Sequence, residues 1–178
     1  LDDDSHPASL DFLPALAAQP ADVLALAADI HLPRAHAREA GGLPEVFVGC
    51  AAAVRREAFL HSGGYDPSFG YYVEEYDLSA RLIAGGGRIA WSREFRADHL
   101  KDPRHRDMNL ILARLVRNNG WVMQRYAPET VRLAELREIR RRYRRIAQQE
   151  SALAGYSRGL LELRRTVRAQ RRTPMPRQ

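Results

Sequence analysis

The apolar positions of this chain change their period along its length, which separates predicted strands from predicted helices. Short apolar runs of strand length lie at residues 23–30, 46–54 and 87–91. Apolar residues at helical spacing lie at residues 55–60, 74–83 and 106–117. Strands that alternate with helices predict an α/β layer fold.

The N-terminal residues have the pattern of a helix start. Asp4 and Ser5 precede Pro7, and an apolar stripe that begins at Leu10 continues to Pro20, which should end a helix. The pattern therefore predicts one helix over this segment. It places the aspartates that precede it at a strand-to-helix turn.

The chain after Pro128 is rich in arginine and poor in glycine, so the sequence predicts two domains, 1–128 and 129–178. Apolar residues at helical spacing predict a long, basic amphipathic helix with the stripe Val131, Leu133, Leu136, Ile139, Tyr143 and Ile146. Because this stripe would form an unusually large exposed patch, we expect it to pack against the first domain or another subunit. A further helix is predicted over residues 153–170, followed by a tail that should fray.

Composition narrows the classes of protein that the chain can represent. An apolar fraction of 45% in 178 residues is enough to build a core. Lys101 is the single lysine among 28 basic residues, so arginine carries the net charge of +6, as in proteins of GC-rich bacteria. Cys50 is the single cysteine, which excludes an internal disulfide and a cysteine-based zinc site. No apolar run reaches the ~18 residues that span a bilayer, and the sequence favours the cytoplasm.

Three clusters carry candidate chemistry, and the first is Asp2-Asp3-Asp4. Carboxylates at positions i and i+2 can converge on one divalent cation, which in turn holds a diphosphate. The alternative is a helix N-cap whose acids complement the helix dipole, and for this cluster alone that alternative is favoured.

The second cluster joins a glycine-rich turn, Gly63-Gly64-Tyr65-Asp66, to the helix start Glu74-Glu75. Such a turn lets the backbone approach a ligand, aromatic faces stack on sugar rings, and an acid pair supplies a general base. The alternative is a solvated first turn in which Asp77 pairs with Arg81 at i,i+4.

The third cluster is a lone histidine, His99, which follows a predicted strand. A single histidine is not evidence of a site by itself, so His99 is a candidate ligand only in combination with the other two clusters.

In this order the segments resemble glycosyltransferase family 2, an inverting group with the GT-A fold, over residues 1–128. Asp2 to Asp4 resembles the family's DXD motif, and residues 63–66 resemble its acceptor loop. The small-residue segment 47–51 and Arg-Arg-Glu-Ala-Phe at residues 55–59 are also similar to family segments. Glu74-Glu75-Tyr76-Asp77-Leu78 with Arg81 resembles the block that carries the catalytic base, and His99 falls at a late metal-binding histidine.

The resemblance implies inverting transfer of a sugar from a nucleotide-diphosphate donor to a hydroxyl of a glycan or lipid-linked acceptor. Asp2, Asp4 and His99 would hold Mg²⁺ or Mn²⁺ on the diphosphate, and Glu75 would remove the acceptor proton. The substrate-binding residues that it implies are Asp3, Gly49, Cys50, Gly63, Gly64, Tyr65, Asp66, Glu74, Asp77 and Arg81. Gly49, Cys50 and Ala51 would leave room beside the sugar. No nucleic-acid partner is expected, and peripheral association with the inner face of the cell membrane stays open.

The chain departs from the family pattern in three respects. Glu75 stands where the family has aspartate, and the Gln-x-x-Arg-Trp motif of processive synthases is absent, so we expect a non-processive enzyme. The βαβ units that bind the nucleotide would precede residue 1, so the expected fold is α/β: a partial, Rossmann-like GT-A domain followed by basic amphipathic helices. Two alternatives remain, a non-catalytic fragment and an arginine-rich module that binds RNA or an anionic membrane surface.

Overall fold

The computed structural model describes residues 2–9, 12–39, 45–102, 104 and 106–175, which contain five strands and six α-helices. The strands are β1 (Ser5–Pro7), β2 (Val23–Leu32), β3 (Ala37–Glu39), β4 (Ala52–Val54) and β5 (Arg88–His99). The helices are α1 (Phe12–Ala17), α2 (Arg56–His61), α3 (Glu74–Ala84), α4 (Met108–Tyr126), α5 (Glu129–Gln149) and α6 (Leu153–Thr166). The predicted α/β class is confirmed. The chain forms two compact units, Leu1–Asp66 with Glu75–Pro103 and Pro67–Glu74 with Arg104–Gln178.

The first unit is built on a mixed sheet with β2 at its centre. β2 runs parallel to β5 along one edge and antiparallel to β3 and β4 along the other, and β1 pairs antiparallel with β5. A strand that is covered on both faces needs a nearly continuous apolar run, which β2 has from Val23 to Ile30. Helix α1 packs on one face of the sheet and α3 on the other.

The pairing of β2 with β5 contains an irregularity. Ala28 of β2 pairs with Ser92 of β5, but the next residue of β2, Asp29, pairs with Arg96. The β5 segment 93–95 is therefore an insertion that has no opposite residue on β2. Ile89, before the insertion, packs on the face that α3 covers, whereas Ala97, after it, packs on the face that α1 covers. Odd-numbered residues of β5 therefore lie on one face of the sheet before the insertion and on the other face after it.

The second unit contains α4, α5 and α6. Leu112 and Val116 of α4 pack with Tyr143 and Ala147 of α5 and with residues of α6. Helix α6 approaches α4 closely at Gly155, where an added Cβ would lie 2.1 Å from a backbone oxygen of α4. In the described part of the chain, no helix has both the length and the apolar character needed to cross a membrane.

Two predictions for the first unit are wrong. Residues 5–7 form strand β1 and the helix begins only at Phe12, so the aspartates precede a strand instead of a helix; Leu10 lies outside the described residues. The strand predicted over 46–54 is confined to Ala52–Val54. Phe47 and Cys50 are nevertheless buried, so this apolar run reflects packing of a turn into the core and not strand pairing.

The C-terminal predictions have different outcomes. The expected packing of the α5 stripe against residues 1–128 is met by α4, and the stripe also packs on α6, whereas Val131 and Leu133 at its start stay exposed. The predicted domain boundary at residue 128 lies inside the second compact unit. The tail does not fray over its described residues, because the amide of Thr173 donates to the Arg125 carbonyl at 2.7 Å and that of Met175 to the Tyr126 carbonyl at 2.9 Å.

Candidate functional site

The turn that carries the aspartates is fastened to the sheet through Cys50. The Asp2 amide donates to the Ser5 hydroxyl at 2.8 Å, and that hydroxyl donates to the Cys50 carbonyl at 2.7 Å. β1 then pairs with β5 so that Ser5 lies opposite His99. These contacts bring the aspartate turn and His99, distant in the chain, to one end of the sheet.

His99 lies between two carboxylates, one at each ring nitrogen. Its Nε2 is 3.3 Å from Oδ1 of Asp4, and its Nδ1 is 2.6 Å from Oε2 of Glu39. The His99 side chain is 10% exposed while that of Asp4 is 43% exposed, so the Asp4 side of the ring is the side nearer solvent. Among the predicted metal ligands, the structure brings Asp4 and His99 together, whereas the hydrogen bonds of Asp2 to Ser5 and Cys50 are made by its backbone.

Glu39 is a member of this cluster that the sequence did not indicate. It ends β3, and its other oxygen, Oε1, accepts a hydrogen bond from Lys101 Nζ at 2.6 Å. Burial alone would raise the pKa of Glu39, but the hydrogen bonds from Lys101 and His99 outweigh it and hold that pKa below its ordinary value. Glu39 is therefore an ionised carboxylate behind the imidazole.

The Cys50 thiol also faces the cluster. One ligand atom each of Glu39, Cys50 and His99 lie within 4.8 Å of one another, so the geometry allows a metal site with one cysteine ligand, whereas the sequence analysis excluded a cysteine-based zinc site. Burial, followed by the charges of Glu39 and Asp2, raises the pKa of Cys50 to about 12. The thiol is therefore protonated at neutral pH and must lose a proton before it can bind a metal.

The donors at this end of the sheet fit a divalent cation. Two carboxylates and an imidazole are ligands for Mg²⁺, Mn²⁺ and Zn²⁺, whereas a thiolate would favour the softer Zn²⁺. Two ligands of one octahedral ion, each at about 2.1 Å, stand about 3 Å apart. The 3.3 Å between Asp4 Oδ1 and His99 Nε2 matches that spacing.

Glu75, the predicted general base, sits in the first turn of α3 with its carboxylate against Gly49. Oε1 of Glu75 accepts a hydrogen bond from the Gly49 amide at 3.1 Å. An added Cβ at Gly49 would lie 2.8 Å from the same oxygen. The absence of a side chain at Gly49 therefore leaves space for the Glu75 carboxylate.

The glycine-rich turn is held to α3 by Arg81. Its guanidinium pairs with Oδ2 of Asp77 at 2.8 Å and donates to the carbonyl oxygens of Ser62 and Gly64. The predicted Asp77–Arg81 pair is therefore confirmed. Because Asp77 is fully buried, both residues of the pair contribute to the fold. The remaining predicted substrate residues differ in exposure: Asp3, Gly63 and Tyr65 are exposed, and Asp66 is half-buried.

Replacement of Arg81 by alanine should destabilise the protein strongly. The change leaves the buried Asp77 carboxylate without its guanidinium, and breaking a buried pair costs about 3–5 kcal/mol. Arg88→Ala, which breaks the exposed pair with Asp22, is the control and should change stability little. Urea denaturation measures both, and equal effects of the two substitutions would contradict the structural role of Arg81.

Glu74 starts α3 and belongs to the second compact unit with the segment that precedes it. Tyr72 and Val73 have φ angles of 70° and 74°, a left-handed conformation that is costly for a β-branched residue. The side-chain nitrogen of buried Asn118 lies 2.7 Å from the Tyr72 carbonyl oxygen, and two further carbonyl oxygens of this segment share its two N–H groups. The Asn118 side chain thus holds the segment before Glu74 in its left-handed backbone conformation.

No protein-family profile, curated protein or solved structure matches this chain.

Proposed function

We propose that this protein is a metal-dependent, inverting glycosyltransferase that moves a sugar from a nucleotide-diphosphate donor to an acceptor hydroxyl without processivity. The observation that carries the proposal is the contact between Asp4 and Nε2 of His99 at the end of the sheet. Two side chains from opposite ends of the proposed domain meet there with a spacing that suits shared ligation of one cation. This is the arrangement that the resemblance to glycosyltransferase family 2 implies.

In this proposal Glu39 positions His99. A metal-bound histidine commonly donates its other ring N–H to a carboxylate, and Glu39 occupies that place at Nδ1 of His99. Asp4 and Nε2 of His99 are then the ligands, with Asp2 available from the same turn. A Mg²⁺ or Mn²⁺ ion held by these residues would neutralise the negative charge that develops on the diphosphate leaving group.

Glu75 is the proposed general base. Its carboxylate takes the proton of the acceptor hydroxyl as that oxygen attacks the sugar. The Gly49 amide donates a hydrogen bond to Oε1 of Glu75 and so orients the carboxylate. Tyr65 and Asp66 would contact a glycan or lipid-linked acceptor.

The proposal predicts that a donor stabilises the full-length natural protein only when a divalent cation is present. We expect one member of a panel of uridine, guanosine and thymidine diphosphate sugars to raise the melting temperature with Mn²⁺ and not with EDTA. At about 100 times the Kd, the stabilisation should be about 2.7 kcal/mol. Differential scanning fluorimetry measures it. A panel without any metal-dependent shift would overturn the proposed function.

A further inference from the structure

The second compact unit contains a groove of about 890 Å³ between α5, α6 and the end of α4. Five arginines line it: Arg132 and Arg140 from α5, and Arg164, Arg165 and Arg168 from α6 and the turn after it. We call it the arginine groove. None of the described residues that line it is acidic.

Most of the positive charge in the arginine groove is not neutralised by the protein. Arg132 pairs with Glu129 at 2.7 Å. For the other four arginines, no carboxylate in the described part of the chain lies within ion-pair distance, and all four are exposed. Guanidinium groups that share one concave surface repel each other, so this arrangement gains free energy when an anion enters.

The neighbouring basic surface of α5 differs in this respect. Arg141, Arg144 and Arg145 lie around Glu138, whose carboxylate is 4.0 Å from Arg141 and 3.9 Å from Arg145. That surface is an ordinary solvated helix face with its own counter-charge. Both surfaces lie on the second unit and carry arginines. They differ in that the arginines around Glu138 have a carboxylate nearby, whereas, among the residues that the structure describes, four of the five in the arginine groove do not.

The same groove has an apolar wall. Leu136, Leu160, Leu163 and Val167 line it together with the arginines. Leu163 is 4% exposed, and the other three are half-buried, so they present apolar surface to the groove. A small hydrated anion would leave this wall in contact with water, whereas an apolar chain would cover it.

We propose that the arginine groove binds a phosphate-headed lipid, with the phosphate at the guanidinium groups and the acyl or isoprenoid chain along the aliphatic wall. Guanidinium groups bind phosphate oxygens in pairs, and the aliphatic wall supplies the apolar contact. Single-stranded nucleic acid is bound through stacking on aromatic side chains, and no aromatic residue of the described segments lines the groove. This inference is independent of the proposed transferase site, which uses residues of the first unit.

Vesicle binding tests the proposal on the full chain. We expect co-sedimentation with phosphatidylcholine vesicles that contain phosphatidic acid, and none with phosphatidylcholine alone. The double variant Arg164→Gln/Arg168→Gln should weaken binding by about 25-fold, because each arginine at an anionic membrane contributes about fivefold. The control Arg141→Gln/Arg144→Gln removes the same charge from α5 outside the groove and should retain most of the binding.

A second variant tests the apolar wall. Leu136→Gln should weaken vesicle binding while the circular dichroism spectrum stays unchanged, and inorganic phosphate should displace the vesicles poorly. Equal losses in the two arginine pairs would overturn the proposal, since they would indicate attraction to the whole basic surface. Displacement by phosphate alone, or tighter groove-dependent binding of single-stranded RNA, would also overturn it.

Discussion

Glu75→Gln should lower turnover by about 10²- to 10⁴-fold with little change in donor affinity, the range expected for loss of a general base. The substitution is nearly isosteric, and the amide oxygen of glutamine can still accept the hydrogen bond that Glu75 Oε1 receives from the Gly49 amide. The local structure should therefore survive while the proton acceptor is lost. Steady-state kinetics of the full-length natural protein, with the donor found by the panel, measures the effect.

Glu74→Gln is the matched control for this experiment. Adjacent residues of a helix point about 100° apart, so Glu74 and Glu75 cannot present their carboxylates to the same acceptor hydroxyl. We expect the Glu74 variant to keep more turnover than the Glu75 variant. If the order of the two effects is reversed, the base is Glu74, and if Glu75→Gln keeps near-normal turnover, Asp66 becomes the candidate.

Removal of the carboxylate behind His99 should weaken Mn²⁺ binding even though that carboxylate is not itself a proposed ligand. Loss of an outer-shell partner commonly costs 10- to 100-fold in metal affinity, so Glu39→Gln should raise the Kd by about that factor. Asp4→Asn and His99→Ala remove proposed ligands and should have effects at least as large. Isothermal titration calorimetry with Mn²⁺ measures all three.

Asp98→Asn provides the control for metal binding. Asp98 precedes His99 on β5, but its carboxylate is 3.9 Å from His6 on the neighbouring strand and is not part of the His99 cluster. Its substitution should leave the Kd unchanged. A variant Cys50→Ser that weakens binding more than Asp4→Asn would instead assign the ligands to Glu39, Cys50 and His99.

The sequence predicted elements wherever one pattern determined them. The apolar run of β2 and the helical spacing of α3 gave bounds close to those observed, and the Asp77–Arg81 pair followed from the i,i+4 spacing. The segment 46–54 was misassigned because hydrophobicity records burial, and a turn that is packed into a core is as apolar as a strand. The local pattern therefore predicted correctly that the segment 46–54 is buried or half-buried, but it did not predict which of its residues pair with a neighbouring strand.

The candidate site was predictable only in part. Asp4 and His99 were indicated by their order in the resemblance, but no local property of Glu39 distinguishes it from any surface glutamate. Its place behind His99 depends on the pairing of β3 with β2 and on the parallel pairing of β2 with β5. Those long-range pairings are properties of the folded sheet, which a single sequence does not report.

The inserted segment 93–95 of β5 has a consequence for how this chain can change length during evolution. Because side chains alternate along a strand, an insertion with an odd number of residues reverses the faces of everything beyond it, including His99. Loss of a single codon here would turn that imidazole toward the opposite side of the sheet, whereas loss of two codons would preserve its direction. Among descendants of this sequence, length changes in this segment should be tolerated in steps of two.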